Sequence, residues 1–276
     1  MKHNLKWWLV GAICLGLASP ARAEKTLAKI QARGVLNVAI REDAAPFGYL
    51  SASNSLQGYC LDFFALLESQ LLNKLERNSL SIKLIKSTAS NRFDLVANRV
   101  ADLECGPNTI RADAPKNTAF SNSFFTTGTQ FLVRQNTSLD LDRNLDGAIL
   151  GVIDDTTTAQ FIAERYPKAT LRSYRGTTAR NRGVQAVSQG KIDAMISDGI
   201  LLRAEAQQQE LSSAQYPLIP DIPLTCDRYG IIVRAEDPEW LEFVNSAIDS
   251  PEAEELSQAW FGNLFSYIQP ALDVCQ

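Results

Sequence analysis

Strand-like and helix-like patterns alternate along almost the whole chain, and this alternation narrows the fold more than any other feature. It is what parallel sheets with crossover helices require. Val35 to Ile40 reads as a first strand, and Asp62 opens a helix with Phe64, Leu67, Leu71 and Leu75 on its apolar face. Ser81 to Ile85 reads as a strand, Phe93, Val96, Ala97 and Val100 as one face of a helix, and Ala101 to Cys105 and Gln130 to Arg134 as further strands. An Asp-rich connector, Asn136 to Gly147, breaks the series. A second βαβ run starts at Ala148 to Ile153, passes through a helix carrying Ala159, Ile162, Ala163 and Tyr166 and stopped by Pro167, and closes with a strand from Ile192 to Ser197. Tyr216 to Thr225, with three prolines and no period, reads as an extended return. A buried strand at Gly230 to Val233 and two helices begun by Asp237-Pro238-Glu239 and Ser250-Pro251-Glu252 follow, with Gly262 as the stop. Two α/β units joined in this way predict two lobes with a cleft between them.

The first residues read as a leader. Lys2 and Lys6 form a positive region ahead of an apolar stretch, Trp7 to Leu17, that is too short to span a bilayer stably, and Ala21-Arg22-Ala23 is a small-x-small cleavage site before Glu24. Residues 1–23 are therefore expected to be a secretory signal peptide. A lipoprotein reading through Cys14 is opposed by bulky Ile13 at the position before it. His3 is the only histidine, so the mature chain would have none. That removes Ser-His-Asp and Cys-His chemistry and histidine-ligated metal sites. Taking Lys2, Lys6 and Arg22 from the 27 basic residues leaves 24 against 31 acidic ones. Such a surface argues against binding nucleic acid or anionic lipid, and no later apolar run is long enough to cross a bilayer. Cys60, Cys105, Cys226 and Cys275 have no CxxC spacing. Disulfides are the default after export, with three pairings open and buried thiols as the alternative.

Ligands of open α/β sheets bind at the carboxyl ends of the strands, so those segments carry the chemistry. After the first strand come Arg41 and, within eight residues, Phe47 and Tyr49. They suit a carboxylate on an aliphatic stem, or are simply an exposed arginine beside core aromatics. Gly106-Pro107-Asn108-Thr109-Ile110-Arg111 is a turn able to offer donors to an anion, or an ordinary cap. Arg92 begins a helix, an unfavourable place for a cation unless an anion docks there too. Asp154-Asp155-Thr156-Thr157-Thr158 precedes a helix, where hydroxyls and free amides suit an anion although the aspartates repel one. Arg175, Arg180 and Arg182 add positive charge, and Asp198 could receive an ammonium group or cap the next helix.

Taken in order, VLNVAIREDAAPFGY, LQGYCLDF, STASNRF, DLECGPNT, AFSNSFFTTGTQFLV, the Thr-rich helix start, QGKIDAMISD and RYGIIVRAEDPEW resemble a known pattern from about Leu27 to Phe265. The chain resembles the bacterial extracellular solute-binding proteins that capture polar amino acids for ABC transporters, closest to their glutamate/aspartate-binding branch. The resemblance implies a two-lobed α/β fold, the type II periplasmic binding protein, with a hinge and an interlobe cleft. Residues 24–133 and 227–276 would form lobe 1 and residues 134–226 lobe 2. It also implies a periplasmic monomer that binds an amino acid, passes it to a membrane permease and needs no cofactor or metal. By position, Arg41 and Arg92 resemble carboxylate ligands, and Thr109 a holder of the α-carboxylate. Thr156 and Thr157 match the second-lobe helix start, Asp198 the acceptor of the α-ammonium, and Arg180 the place of a ligand histidine.

Three departures stand out. The family's widespread arginine falls on Ala114, which leaves Arg111 or Arg92 to anchor the α-carboxylate; Asp155 replaces a glycine; and Cys60 stands at a position usually not cysteine. Glutamate or aspartate is the expected ligand, with glutamine, asparagine or a broader polar range second. The competing readings are an enzyme on the same fold, a small dehydratase or cell-wall lyase with Glu104, Asp154 or Asp198 as acid or base, and a sensory module.

Overall fold

A computed structural model of the chain describes residues 24–275. The expected leader, with Cys14 and the residues up to Ala23, lies outside the described residues. Helix α1 (Thr26–Arg33) leads into β1 (Val35–Ile40), whose last three residues are all buried. Three short strands, β2 (Asp43–Ala44), β3 (Gly48–Leu50) and β4 (Leu56–Gln57), form a small antiparallel sheet beyond its end. Helix α2 (Tyr59–Lys74) buries Tyr59, Phe63, Phe64, Leu67 and Leu71. Then come β5 (Ser81–Lys86), α3 (Arg92–Ala97), β6 (Leu103–Cys105) and β7 (Thr118–Thr127).

Only Gly128 separates β7 from β8 (Thr129–Val133), yet the two strands lie in different sheets. The second unit continues with β9 (Ile149–Ile153), α4 (Thr157–Arg165), β10 (Thr170–Tyr174), α5 (Ala179–Ser188), β11 (Ala194–Asp198), α6 (Gly199–Gln208) and β12 (Leu218–Ile219). The chain then returns through β13 (Asp227–Arg234) to α7 (Pro238–Ile248), α8 (Pro251–Phe261) and α9 (Phe265–Val274). Strand order is β5-β1-β6-β13-β7 in one sheet and β10-β9-β11-β8-β12 in the other. In each, three parallel strands are followed by two antiparallel pairings, so that a single strand, β13 in the first sheet and β8 in the second, runs against the other four.

Several local expectations need correction. The boundary at 133/134 moves to Gly128, because β8 pairs with β11 and β12 of the second sheet. Strands β7 and β10 show no clean alternation, since both lie at or next to a sheet edge with polar residues on the open side, and pattern reading passes over them. Helix α3 stops at Ala97, where Arg99 turns to a positive φ of 61°, so Val100 is not on its face and is 48% exposed. Ser250 caps α8 by accepting from the Ala253 amide, but Asp237 does not cap α7. Its carboxylate instead accepts from the Thr26 amide at the start of α1, 2.8 Å away.

Large apolar side chains hold the units together and to each other. Phe63, Phe64, Leu67, Trp240 and Val244 are fully buried in the first unit, and Ile200 and Leu201 of α6 pack into that same core from the second unit. Ala89, ahead of α3, packs reciprocally among second-unit residues. The cysteines pair Cys60–Cys105 and Cys226–Cys275, which resolves the three possible pairings. Their Cα separations, 5.7 and 5.2 Å, are ordinary for disulfides.

The outgoing and returning connections run side by side at the crossing. The Thr129 amide donates to Thr225 Oγ1 (2.9 Å) and the Leu224 amide to the Thr129 carbonyl (3.0 Å). A Cβ built on Gly128 would lie 2.0 Å from the Thr225 carbonyl oxygen and 2.6 Å from Pro223 Cβ, so no side chain fits without parting the two strands. Gly128→Ala is expected to destabilise the protein by about 1–3 kcal/mol, the range for overpacking a tight site. Thermal unfolding monitored by circular dichroism checks this; an unchanged Tm would mean that the crossing yields freely.

Candidate ligand-binding site

The carboxyl ends of β1 and β6 in the first sheet face those of β9 and β11 in the second, and the residues that follow them surround one hollow. It measures only about 30 Å³, room for about two water molecules. Arg41, Arg92, Thr109, Arg111, Thr156, Thr157, Arg180 and Asp198 all line it. Tyr49 does not. It sits in β3 with its hydroxyl donating to Gln57 Oε1 at 3.3 Å, and Leu201 and Ile153 supply apolar wall instead. An amino-acid-sized guest needs the two units to part or the wall side chains to shift.

Four guanidinium groups meet here. Arg41 makes a two-pronged pair with Asp43, Nε to Oδ1 at 2.8 Å and Nη2 to Oδ2 at 2.9 Å. Burial works against the Arg41 charge, but Asp43 outweighs it and the pKa rises. Arg180, on α5, reaches across to the first unit and donates from Nη1 to the Asp43 carbonyl at 2.6 Å. Arg92 donates from Nη1 to the Ala89 carbonyl and from Nη2 to the Asp155 carbonyl of the second unit, the latter at 3.3 Å. Burial first, then the like charges of Arg41 and Arg111, push Arg92 down to about 10. Burial likewise lowers Arg180. Among the described residues the buried Nε groups of Arg92 and Arg180 have no hydrogen-bond partner. Arg111, partly exposed, stacks over the Phe93 ring and lies 3.4 Å from Asp113.

Hydroxyls and carboxylates form the rest. Thr156 caps α4, accepting from the Ala159 amide at 3.1 Å, and Thr157 Oγ1 donates across the cleft to Thr109 Oγ1 at 3.3 Å. Asp198 occupies the cap position of α6 without capping it. Its oxygens accept from Thr158 Oγ1 (3.2 Å) and from the Tyr229 hydroxyl of β13 in the opposite sheet. Burial raises Asp198, and burial and the Asp198 charge raise Tyr229 well above its usual value. Burial and then repulsion from Asp198 push Asp227 up to about 7, against hydrogen bonds from Thr225 and Thr109. Beneath the hollow Glu104 is fully buried and accepts from Ser87 Oγ (2.8 Å) and Asn108 Nδ2 (2.6 Å), so the Asn108 amide is engaged within the wall.

Sequence reasoning missed Asp43, Tyr229 and Asp227, and read Thr158 only as part of a threonine run, not as a partner of Asp198. Asp43 was within reach as the acid two residues after Arg41. Nothing local marks Tyr229 or Asp227, because only the return of β13 brings them to Asp198.

The chain has known relatives. The pattern of the bacterial extracellular solute-binding proteins, family 3, matches residues 36–263. The chain belongs to that family. The glutamate/aspartate import solute-binding protein of Escherichia coli is 29% identical over 253 residues, covering 89% of this chain and 82% of the relative. The glutamate-binding protein of Corynebacterium glutamicum is 25% identical, covering 89% and 83%. Among solved structures, an ancestral amino acid-binding protein described as a precursor of cyclohexadienyl dehydratase superposes with a TM-score of 0.73 at 22% identity, over 88% of this chain and 100% of that one. A solute receptor for L-cysteine from Neisseria gonorrhoeae gives 0.71 at 20% identity, over 88% and 94%. These two likenesses establish the two-lobed fold.

The raised Asp227 has a consequence for stability. A carboxyl whose folded pKa of about 7 exceeds its ordinary 3.8 contributes stability that is complete below about pH 4 and lost as pH rises through 7. Asp198 and Glu104 act with the same sign, while Asp43 and Asp154, both lowered, act only in more acid solution. Asp227→Asn should therefore flatten the decline of Tm between pH 5 and pH 8, as measured by scanning calorimetry in a series of buffers. Parallel wild-type and variant curves would assign the decline to other groups.

Proposed function

We propose that the chain is the periplasmic substrate-binding component of an amino-acid ABC transporter, taking L-glutamate or L-aspartate, or another polar amino acid, into the hollow and releasing it unchanged to a membrane permease. The observation that carries this reading is the pair of buried Nε–H groups on Arg92 and Arg180, one from each unit and each without a partner among the described residues, around the same hollow as Asp198. A zwitterion is strongly hydrated, so a protein that removes it from water must supply charge-assisted hydrogen bonds in place of those lost. Arg92 and Arg180 offer donors to carboxylates. Asp198 offers a carboxylate to an ammonium group, with Thr158 already holding one of its oxygens.

The lobes in this reading are residues 24–127 with 227–275, and residues 129–225. Contacts that exist only while they are together, Thr157 to Thr109, Arg92 to the Asp155 carbonyl and Arg180 to the Asp43 carbonyl, would close the site over its ligand. The names of the glutamate- and aspartate-binding relatives support an acidic ligand, and two disulfides suit an oxidising compartment. Binding rather than turnover is favoured because Glu104 is engaged by Ser87 and Asn108, and Asp154 pairs with Arg175 away from the hollow.

Titration calorimetry with a panel of amino acids tests the reading. Glutamate or aspartate should bind in the micromolar range, about −8 kcal/mol, and arginine or lysine as the tightest ligand would refute it. Arg92→Ala and Asp198→Asn should each weaken binding by about 2–5 kcal/mol, the usual loss when one member of a buried charged contact is removed.

A further inference from the structure

One acid that alters the charge of the hollow is not on its wall. Asp43 is in β2, two residues past Arg41, with its side chain 5% exposed. Its carboxylate fills the fork of Arg41 through two parallel bonds at 2.8 and 2.9 Å, the geometry a ligand carboxylate would adopt on the same guanidinium. Its own backbone carbonyl takes Nη1 of Arg180 from the other unit at 2.6 Å. One residue thus holds two of the four arginines, the first through charge and the second through the peptide. Arg92 and Arg180 are left with unpartnered Nε groups, whereas Arg41 is not.

We infer that Asp43 is a specificity-determining residue: an internal counter-ion that withholds Arg41 from the ligand and so limits how strongly the site prefers a carboxylate over a neutral amide at the end of the ligand's side chain. This rests on the functional proposal above for the identity of the ligand. With Arg41 engaged, recognition of a second carboxylate falls to Arg92 and Arg180, and an acid and its amide are separated less sharply than four unengaged arginines would separate them. Because the carbonyl that holds Arg180 belongs to the backbone, a side-chain substitution at position 43 frees Arg41 and keeps the contact between the units.

The test compares glutamate and glutamine binding to the wild-type protein and Asp43→Asn by calorimetry. The affinity ratio of glutamate to glutamine is expected to rise by about tenfold or more, as befits one released charge-assisted contact. A ratio that stays the same, or affinities that fall in parallel, overturns the inference and leaves Asp43 a merely structural partner. Glutarate, a dicarboxylate with no ammonium group, supplies a second reading through thermal shift. The variant should gain a larger rise in Tm from it than the wild type does, and an equal or smaller rise counts against the inference. If the wild type binds neither amino acid, the functional proposal fails while the glutarate comparison still tests Asp43. Asp43→Ala carries the same expectations if the Asn variant does not accumulate, and failure of both to fold overturns the inference.

Discussion

Bringing several guanidinium groups together around one small hollow is the constraint to which the surrounding structure answers. Arg41, Arg92 and Arg180 are all buried, and each loses hydration that only an anion or a carbonyl can replace. The chain replaces it unevenly. Arg41 receives a full carboxylate from Asp43, Arg92 and Arg180 receive backbone carbonyls, and Glu104 lies beneath as a fully buried acid that favours the charges of Arg92 and Arg41. An anionic guest is the term that would complete this arrangement, and Asp198 on the same wall makes the hollow mixed in charge instead of uniformly positive.

Several contacts around the hollow have one partner in each unit. Thr157 reaches Thr109, Ser90 reaches Asp155 at 2.7 Å, and Tyr229 reaches Asp198. The apolar packing is reciprocal too, with α6 residues in the first core and Ala89 in the second. Closure is therefore supported at the rim by polar bonds and behind the site by apolar burial. The two adjacent strands at Gly128 and Thr225 connect the units along one line, which leaves rotation about that line as the natural way to open them.

Most of the architecture was legible in the chain because it rests on local signals. The runs Val35 to Ile40 and Ala148 to Ile153 are mostly apolar and form β1 and β9, Thr156 caps α4 as its type predicts, and Arg41 directly follows the first strand. What was not legible is non-local. Strand β7 is half polar because Asn122 and Ser123 face outward next to a register shift against β13, so it has no period to read. The site itself divides along the same line. Arg92, Arg180 and Asp198 stand out by type and position, whereas Tyr229 matters only because β13 returns from the second unit to the first. Asp43 was visible as an acid next to an arginine, but that it points back to Arg41 rather than into solvent depends on the tight turn into β3.

Both disulfides serve the same half of the molecule. Cys105 immediately precedes the Gly106 to Thr109 turn and is tied to α2, and Cys226 immediately precedes Asp227 and is tied to the end of α9. Between Thr129 and Thr225 there is no cysteine at all. The two jaws thus differ in how they are tied: one carries both covalent cross-links, the first of them beside the turn that presents Thr109, and the other is held by sheet hydrogen bonds and its apolar core. A reductant therefore acts on the covalent framework of one jaw and leaves that of the other untouched.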